Sequence, residues 1–387
     1  MITRTVNLSK TNSFFLFGPR SSGKTTLLLE AFDAKHSLLL DLLNPTLYDE
    51  FILEPTRFES LINNSKNQKK RIIIDEIQRI PRLLDIIHSQ IQKHKRQFIM
   101  TGSSSRRLKQ AGVNLLAGRA WVYELFPFST SELGNNFNLK KALEWGGLPE
   151  AYLAKDKLSA REFLNSYAGT YLQKEIQQEQ WVRNLEPFRK FLAVAAQMNG
   201  KVVNKSKLAN EIGVNDNTIA NYFEILEDTL LGFTLPAYHT SVRKAQKQAP
   251  KFYFMDTGIK RALDRTLTVE LLPQTFAWGD AFEHWLILEF KKNISYHRLD
   301  WTLSFIRTKD DLEIDLIIER PGLNKLLIEI KSKERVTEVD SKSLKTLGED
   351  LDSKAEKWII SNDPIEQSFG KIKSFHWREA ILKLFGS

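Results

Sequence analysis

The sequence predicts an α/β protein: an N-terminal doubly wound parallel sheet, a helical middle, and a second α/β segment at the C-terminal end. Three observations predict it. Short, wholly apolar runs alternate with amphipathic stretches over the first third, as a parallel sheet covered by helices requires. A glycine-rich turn lies between the first of these runs and a leucine-rich helix. Near the other end, two apolar runs that each carry acids flank a turn at Arg320-Pro-Gly-Leu-Asn324. The expected segments are 1–133, 134–262 and 263–387.

The elements of the first segment follow in order. Phe14 to Phe17 is a buried strand, and Gly18-Pro19-Arg20-Ser21-Ser22-Gly23-Lys24-Thr25-Thr26 opens the helix after it. This is G-x-x-x-x-G-K-T between a strand and a helix, the setting in which it binds nucleotide phosphates. Gly18 and Gly23 let the backbone curl so that consecutive N–H groups face phosphate oxygens, and the helix start near Lys24 adds its positive dipole end. Lys24 is expected to reach the β- and γ-phosphates and the Thr25 hydroxyl to ligate Mg²⁺. "SLLLDLL" is a second strand. "RIIIDEIQRIP" is a third, ending in Asp75-Glu76; Asp75 is suited to holding Mg²⁺ through water and Glu76 to deprotonating the attacking water. Pro81 to Lys95 places Leu83, Leu84, Ile87 and Ile91 at helical spacing, a crossover helix. "RQFIMTGSSS" is a fourth strand that sets Ser103 toward water or γ-phosphate, and "AWVYELF" is the fifth. ATP and Mg²⁺ are the cofactors implied.

Composition narrows the class. At 387 residues the chain can hold two or three domains, and 42% hydrophobic with 27% charged residues is ordinary for a soluble globular protein. No apolar run approaches membrane-span length, and MITRTVNLSK lacks a signal-peptide core. The absence of cysteine excludes disulfides and cysteine-based zinc sites and fits a reducing cytoplasm. The seven histidines form no ligand-like cluster, so any metal would sit on oxygen ligands. A net charge of +9 serves solubility or a polyanionic partner, DNA first among them.

Glycine loop, acid pair and polar residue on the next strand resemble, in that order, the AAA-type P-loop ATPases. "LLAGRAWVYELFPFSTSEL" is similar to a stretch found in a bacterial and archaeal group of them with a long C-terminal extension. The resemblance implies assembly as a homo-oligomeric ring, with a hexamer as one candidate size, and an arginine that stabilises the transition state. Arg119 is the first choice for that arginine, with Arg106 and Arg107 behind it; a structural ion pair is the other reading of Arg119, and an arginine supplied by a neighbour is not visible in one chain. The family's arginine–aspartate pair is Lys174-Glu175 here. That substitution keeps the charges but loses the arginine fork, so no catalytic role is assigned.

The middle reads as helices. Ser206 to Ile212 ends at Gly213, and a longer helix follows with Ile219, Phe223, Leu226 and Leu230 on one face and Asn215 or Asp216 at its cap. Helix, glycine turn and helix suggest a helix-turn-helix. "GFTLPAYHT" and "KFYFMD" are suited to the hairpin of a winged helix, with Arg243, Lys244, Lys247 and Lys251 on the wing. Such modules also serve as protein contacts. Glu224, Glu227 and Asp228, with no arginine on the helix, favour backbone contact over base readout.

In "EIDLIIERPGLNKLLIEIK" strand alternation puts Glu329 and Lys331 on one face. Pairing the two runs brings Asp315 beside them, and two adjacent carboxylates favour a divalent cation between them. The acid-bearing helix "WGDAFEHWLILEF" adds Glu283. This arrangement resembles the PD-(D/E)XK nuclease fold, a restriction-endonuclease-like α/β domain, with Ile314-Asp315 where proline–aspartate is usual. The resemblance implies metal ligands at Asp315 and Glu329, with Lys331 and Glu283 in support; a satisfied structural ion pair is the other reading. The function expected is an ATP-dependent motor or remodelling ATPase on duplex or branched DNA. The alternative is an ATP-gated regulatory or defence switch whose nuclease-like domain binds without cutting.

Overall fold

The structure, a computed structural model, describes residues 2–67, 70–104, 106, 108, 116, 118–171, 184–239, 241 and 248–386. Arg107, Lys174, Glu175, Arg243, Lys244 and Lys247 lie outside them. The chain forms two compact units, residues 1–128 with 224–231, and residues 129–223 with 232–387.

In the first unit, β1 (Ser13–Phe17), β2 (Ser37–Asp41), β3 (Arg71–Asp75), β4 (Phe98–Gly102) and β5 (Ala120–Glu124) make one sheet in the order β2-β3-β4-β1-β5. Every pairing is parallel. β1 and β4 are buried at every position, which is why they read as continuous apolar runs rather than alternating ones. α1 (Lys24–Ala31), α2 (Pro45–Leu53), α3 (Pro55–Asn63) and α4 (Leu83–His94) link the strands. Asn44 caps α2 with Pro45 at its first position, and Leu83, Leu84 and Ile87 of α4 bury against Phe15, Ile72, Ile74 and Phe98. Each such fully buried side chain contributes roughly 1.5–3 kcal/mol. From β1 the chain crosses to the far edge at β2, returns through β3 and β4, and ends on the other side of β1 at β5. The direction of winding therefore reverses at β1, and the crevice at the carboxyl end of such a switch point is where open α/β sheets bind ligands.

In the second unit, Lys205–Ile212 ends at Gly213 (φ +81°) and the helix Asp216–Asp228 follows, its last residues from Glu224 belonging to the first unit. Asn215 is the cap, accepting the Thr218 N–H at 2.8 Å. β6 (Gly232–Leu235) and β7 (Lys251–Phe254) pair antiparallel, and just beyond β6, Ala237 bridges to Phe305. β8 (Thr302–Arg307), β9 (Glu313–Glu319), β10 (Leu326–Lys331), β11 (Glu356–Ser361), β12 (Gln367–Phe369) and β13 (Ile372–His376) form a mixed sheet, ordered β12-β13-β11-β10-β9-β8. β9 and β10 are the hairpin expected around Arg320–Asn324, with Gly322 at φ +79° in its turn. The long helix Phe276–Tyr296 and the helix Lys342–Leu351 both contact β10. Among the described residues no helix is long and apolar enough to cross a membrane.

Candidate functional site: a nucleotide centre and an acid–lysine cluster

The carboxyl ends of β1, β3 and β4 bring the first set of groups together. After β1 the backbone turns left-handed at Ser21 (φ 59°) and Gly23 (φ 91°), and α1 begins at Lys24 with no side-chain cap on its free N–H groups. Glycine is needed at position 18 for a separate reason: a Cβ there would lie 2.3 Å from the Leu125 carbonyl oxygen. Arg4 braces the loop, donating to the Ser22 carbonyl at 2.8 Å and to the Phe126 carbonyl. Ser22 is fully buried and its hydroxyl has no partner among the described residues. Lys24 is buried, and its ammonium donates to the carbonyls of Gly18 at 2.8 Å and Pro19 at 3.1 Å. Arg20 and Thr26 are exposed, and Pro19 is buried.

The Thr25 hydroxyl donates to the Asp75 carboxylate at 2.8 Å, and the Thr101 hydroxyl bonds the other Asp75 oxygen. Glu76 follows in a left-handed conformation (φ 60°), with its N–H on the Thr101 hydroxyl at 3.2 Å. That kink starts a short 3₁₀ turn, Ile77–Arg79, which folds Gln78 back under the site. The Gln78 amide donates to the Glu76 carboxylate and, at 3.2 Å, to the Ser103 hydroxyl. Gly102 leaves room for it, since a Cβ there would lie 2.6 Å from Gln78 Oε1.

The motif residues Gly18 to Thr26, Asp75, Glu76 and Ser103 thus meet at one end of the sheet. Thr101 and Gln78 were not expected. Thr101 stood beside the predicted polar strand end, and Gln78 two residues past the acid pair. The group set fits a magnesium nucleotide. The turn at residue 18 has no room for a side chain, an orphan hydroxyl sits in the loop, and a hydroxyl and a carboxylate that would share the ion are already hydrogen-bonded. Arg119 is exposed. Arg106 is held by Asp228 at 2.8 Å and stands 3.8 Å from Glu224, an ion pair rather than a group aimed at phosphate.

The second set lies in the C-terminal sheet. Extending the β9–β10 register by one pair would set Asp315 opposite Glu329, but the ladder stops at Leu316–Ile328. Asp315 instead accepts the Ile330 N–H at 2.7 Å through its side chain. The Lys331 ammonium is 2.6 Å from Glu329 Oε1, while Glu329 Oε2 is buried without a partner among the described residues. Glu283 accepts the Tyr253 hydroxyl at 2.7 Å and lies 3.4 Å from the Lys251 ammonium, which also pairs with Glu313. Burial, then the carboxylates of Glu329 and Glu283, push the Asp315 carboxyl well above the usual range. Burial raises Glu329 too, against the pull of Lys331. Burial works against the charge on Lys251, but Glu283 and Glu313 outweigh it and hold the ammonium above the ordinary lysine value.

The sequence brought Asp315, Glu329 and Lys331 together correctly as neighbours, but it placed Lys251 on an exposed wing. Lys251 is in fact 3% exposed: strand alternation puts it with Tyr253 on the face of β7 that meets Glu283. Among the described residues, no three His, Asp or Glu side chains are grouped to hold a metal ion. One oxygen each of Asp315, Glu329 and Glu283 is held by Ile330 N–H, Lys331, and Tyr253 with Lys251, and two ammonium charges already stand among these acids, so a divalent ion does not fit this cluster as it stands.

Comparison with known proteins bears on the domain that carries the first site. Residues 10–134 match the profile of a family described as an AAA domain. Residues 136–270 and 278–378 match two families described as domains of unknown function, DUF8612 and DUF4143. An uncharacterized protein of Mycobacterium tuberculosis is 26% identical over 312 residues, 79% of this chain and 67% of that protein. One of Methanocaldococcus jannaschii is 24% identical over 430 aligned positions, 98% of this chain and 87% of that protein. Among solved structures, a signal transduction ATPase with numerous domains and a tetratricopeptide repeat sensor, from Pyrococcus horikoshii, is 12% identical with a TM-score of 0.27. That likeness covers 74% of this chain and spans only 46% of that protein, too distant to bear on fold or function. Residues 10–134, with their glycine loop and acid pair on a five-stranded parallel sheet, are an AAA-type P-loop ATPase domain.

Proposed function

We propose that the chain is an ATP-hydrolysing switch whose C-terminal domain engages a partner without cutting it. One observation carries the hydrolytic half. Thr25, Asp75, Thr101, Glu76, Gln78 and Ser103 form a continuous hydrogen-bonded set at the switch point beside the glycine loop. The loop amides and Lys24 bind the phosphates. Thr25 and Asp75 would hold magnesium, which neutralises phosphate charge. Glu76 takes a proton from the attacking water as it adds to the γ-phosphorus and ADP leaves. Gln78 and Thr101 fix Glu76, and Ser103 presents a hydroxyl beside them. Arg119, exposed on its loop, is the arginine assigned to a neighbouring copy's site in a ring.

The filled acid–lysine cluster supports the non-cutting half. The helix, turn, helix and antiparallel pair are read as a winged-helix-type module, and the C-terminal sheet as a nuclease-type fold kept for binding. A second reading, a motor acting on DNA, draws on the net charge of +9.

The test is ATP turnover with linear, forked and four-way DNA, scoring DNA binding and cutting together. Lys24→Ala should lose nucleotide binding, and Glu76→Gln should bind ATP and retain it unhydrolysed. Normal hydrolysis by Glu76→Gln would remove the base assignment. Turnover stimulated by DNA and weakened by salt would favour the motor, turnover indifferent to DNA the switch, and cutting by the wild type would refute the non-cutting half.

A further inference from the structure

The misfit between the C-terminal acids and a divalent ion has a specific cause, and it comes from outside the sheet that carries them. Lys251 is the first residue of β7. Its backbone pairs with Leu235 of β6 and bridges to Val202, and its ammonium lies 5.2 Å from the centre of the Phe305 ring. The side chain is 4% exposed and ends between Glu283, from the helix Phe276–Tyr296, and Glu313, from β9. Two contacts hold β7 in this position. Tyr253, on the same face, donates to Glu283 at 2.7 Å. One residue on, the Phe254 carbonyl bonds the His284 ring at 2.6 Å. The lysine is therefore placed by a strand and a helix rather than by its own flexible stem.

We propose that Lys251 is the resident cation of this centre: its ammonium stands among Glu283, Glu313 and Asp315 in place of a divalent ion and keeps the cluster closed to metal. A second observation points the same way. Glu329 is 5% exposed and its Oε2 is buried with no partner among the described residues, an acceptor oxygen of the hard type that magnesium and manganese prefer. The centre has oxygens suited to a divalent ion and a fixed positive charge that repels one. Removing that charge takes the ammonium from Glu283 and leaves Glu313 facing Arg307 at 3.7 Å, while Lys331 remains on Glu329; the cluster is then short of one positive charge, and a divalent cation becomes the group that best supplies it. The inference rests on the reading that the C-terminal domain does not cut, and supplies its physical reason.

The experiment uses Mn²⁺ alone, without nucleotide, on the full chain. Asp75→Asn is present throughout, so that the nucleotide site does not contribute. Calorimetry and thermal unfolding compare this parent with Lys251→Met and with Lys251→Met/Asp315→Asn. The parent should show no saturable binding that depends on Asp315, and no shift in unfolding temperature with Mn²⁺. Lys251→Met should unfold at a lower temperature without metal, bind one equivalent of Mn²⁺ roughly tenfold or more tighter than the parent, and recover stability as Mn²⁺ is added. Both gains should vanish in the double variant.

Asp315-dependent Mn²⁺ binding by the parent would overturn the proposal, as would a folded Lys251→Met that binds none. If Lys251→Met folds only with Mn²⁺ present, that supports it. If Lys251→Met folds under neither condition, the parent compared with Asp315→Asn still decides. ATP turnover by Lys251→Met with Asp75 intact should match wild type. A wild-type protein that never turns over ATP would count against the nucleotide site and leave this proposal standing.

Discussion

Replacing Gln78 by alanine tests whether the nucleotide centre works through positioning. Gln78 is 1% exposed and is not itself expected to meet ATP; its amide spans the Glu76 carboxylate and the Ser103 hydroxyl. A hydrogen bond to a charged partner is worth about 1.5–3 kcal/mol. If all of it serves to hold Glu76 toward the attacking water, the loss enters the barrier, where each 1.36 kcal/mol or so is tenfold in rate. Gln78→Ala should therefore lower kcat by roughly 10- to 150-fold and leave KM and ATP affinity close to wild type, since the loop, Lys24 and Thr25 are untouched. Steady-state phosphate release gives kcat and KM, and calorimetry on the same preparation gives affinity. A merely structural role would instead lower the unfolding temperature and the active fraction together, with no separation of kcat from affinity. A folded Gln78→Ala with near-normal kcat would refute the positioning role.

Other consequences are more local. Gly18→Ala forces a Cβ to 2.3 Å from the Leu125 carbonyl, so the loop must shift, and ATP affinity measured by calorimetry should fall about tenfold or more, since a loop shift of about 1.4 kcal/mol is already tenfold. Arg119→Ala should lose turnover but not ATP binding, and mixing it with Glu76→Gln should restore some turnover if the arginine acts across subunits; no recovery in the mixture would remove that role. His284 donates to the Phe254 carbonyl from its ring, and burial, against the pull of that bond, depresses its pKa to about 3. Between pH 6.5 and 3 the unfolded state therefore binds a proton that the folded state does not. The stability His284 confers is present above pH 6.5 and should fall by up to about 1.4 kcal/mol per pH unit below it. Urea midpoints of wild type and His284→Gln at several pH values measure that difference, and a difference independent of pH would count against it.

Local chemistry made the first site legible. The strand, loop and helix from Ser13 to Ala31 are contiguous, and their apolar run and glycines report the conformation directly. Gln78 was not legible, because its role needs the left-handed turn at Glu76 and the adjacency of β3 and β4. Lys251 failed in the opposite direction. A lysine near Arg243, Lys244 and Lys247 reads as part of a basic surface, and its burial depends on a helix some thirty residues on and a strand sixty residues on. The alternation Lys251-Phe252-Tyr253-Phe254 was the available signal: it puts two polar groups on one face of a strand whose other face is aromatic. Asp315 and Glu329 were legible as neighbours because their strands are joined by a short turn. That the pairing stops before them, leaving a carboxylate on the Ile330 N–H, is a departure from regular register that no pattern announces.

The two acid-bearing sites use the same residue types and differ in what faces the acids. Asp75 is bonded by the hydroxyls of Thr25 and Thr101. A hydroxyl is both donor and acceptor, so it can turn its hydrogen away and offer a lone pair when a cation arrives, keeping Asp75 satisfied throughout. In the C-terminal cluster the partners are two ammonium groups, the Arg307 guanidinium, a tyrosine hydroxyl and a backbone N–H. An ammonium has no lone pair and carries a full charge, so, unlike a hydroxyl, it cannot turn to face a metal ion and it repels one that approaches its carboxylate. The identity of the neighbouring donors, more than the count of acids, therefore separates the centre proposed to cycle a magnesium nucleotide from one whose charge is fixed. It follows that turnover should depend on Mg²⁺ through Thr25 and Asp75 alone. Loss of ATP turnover in Asp75→Asn, with no effect from Asp315→Asn, is the expected pair of results; a requirement for Asp315 in ATP hydrolysis would mean that the two centres are coupled in a way these hydrogen bonds do not provide.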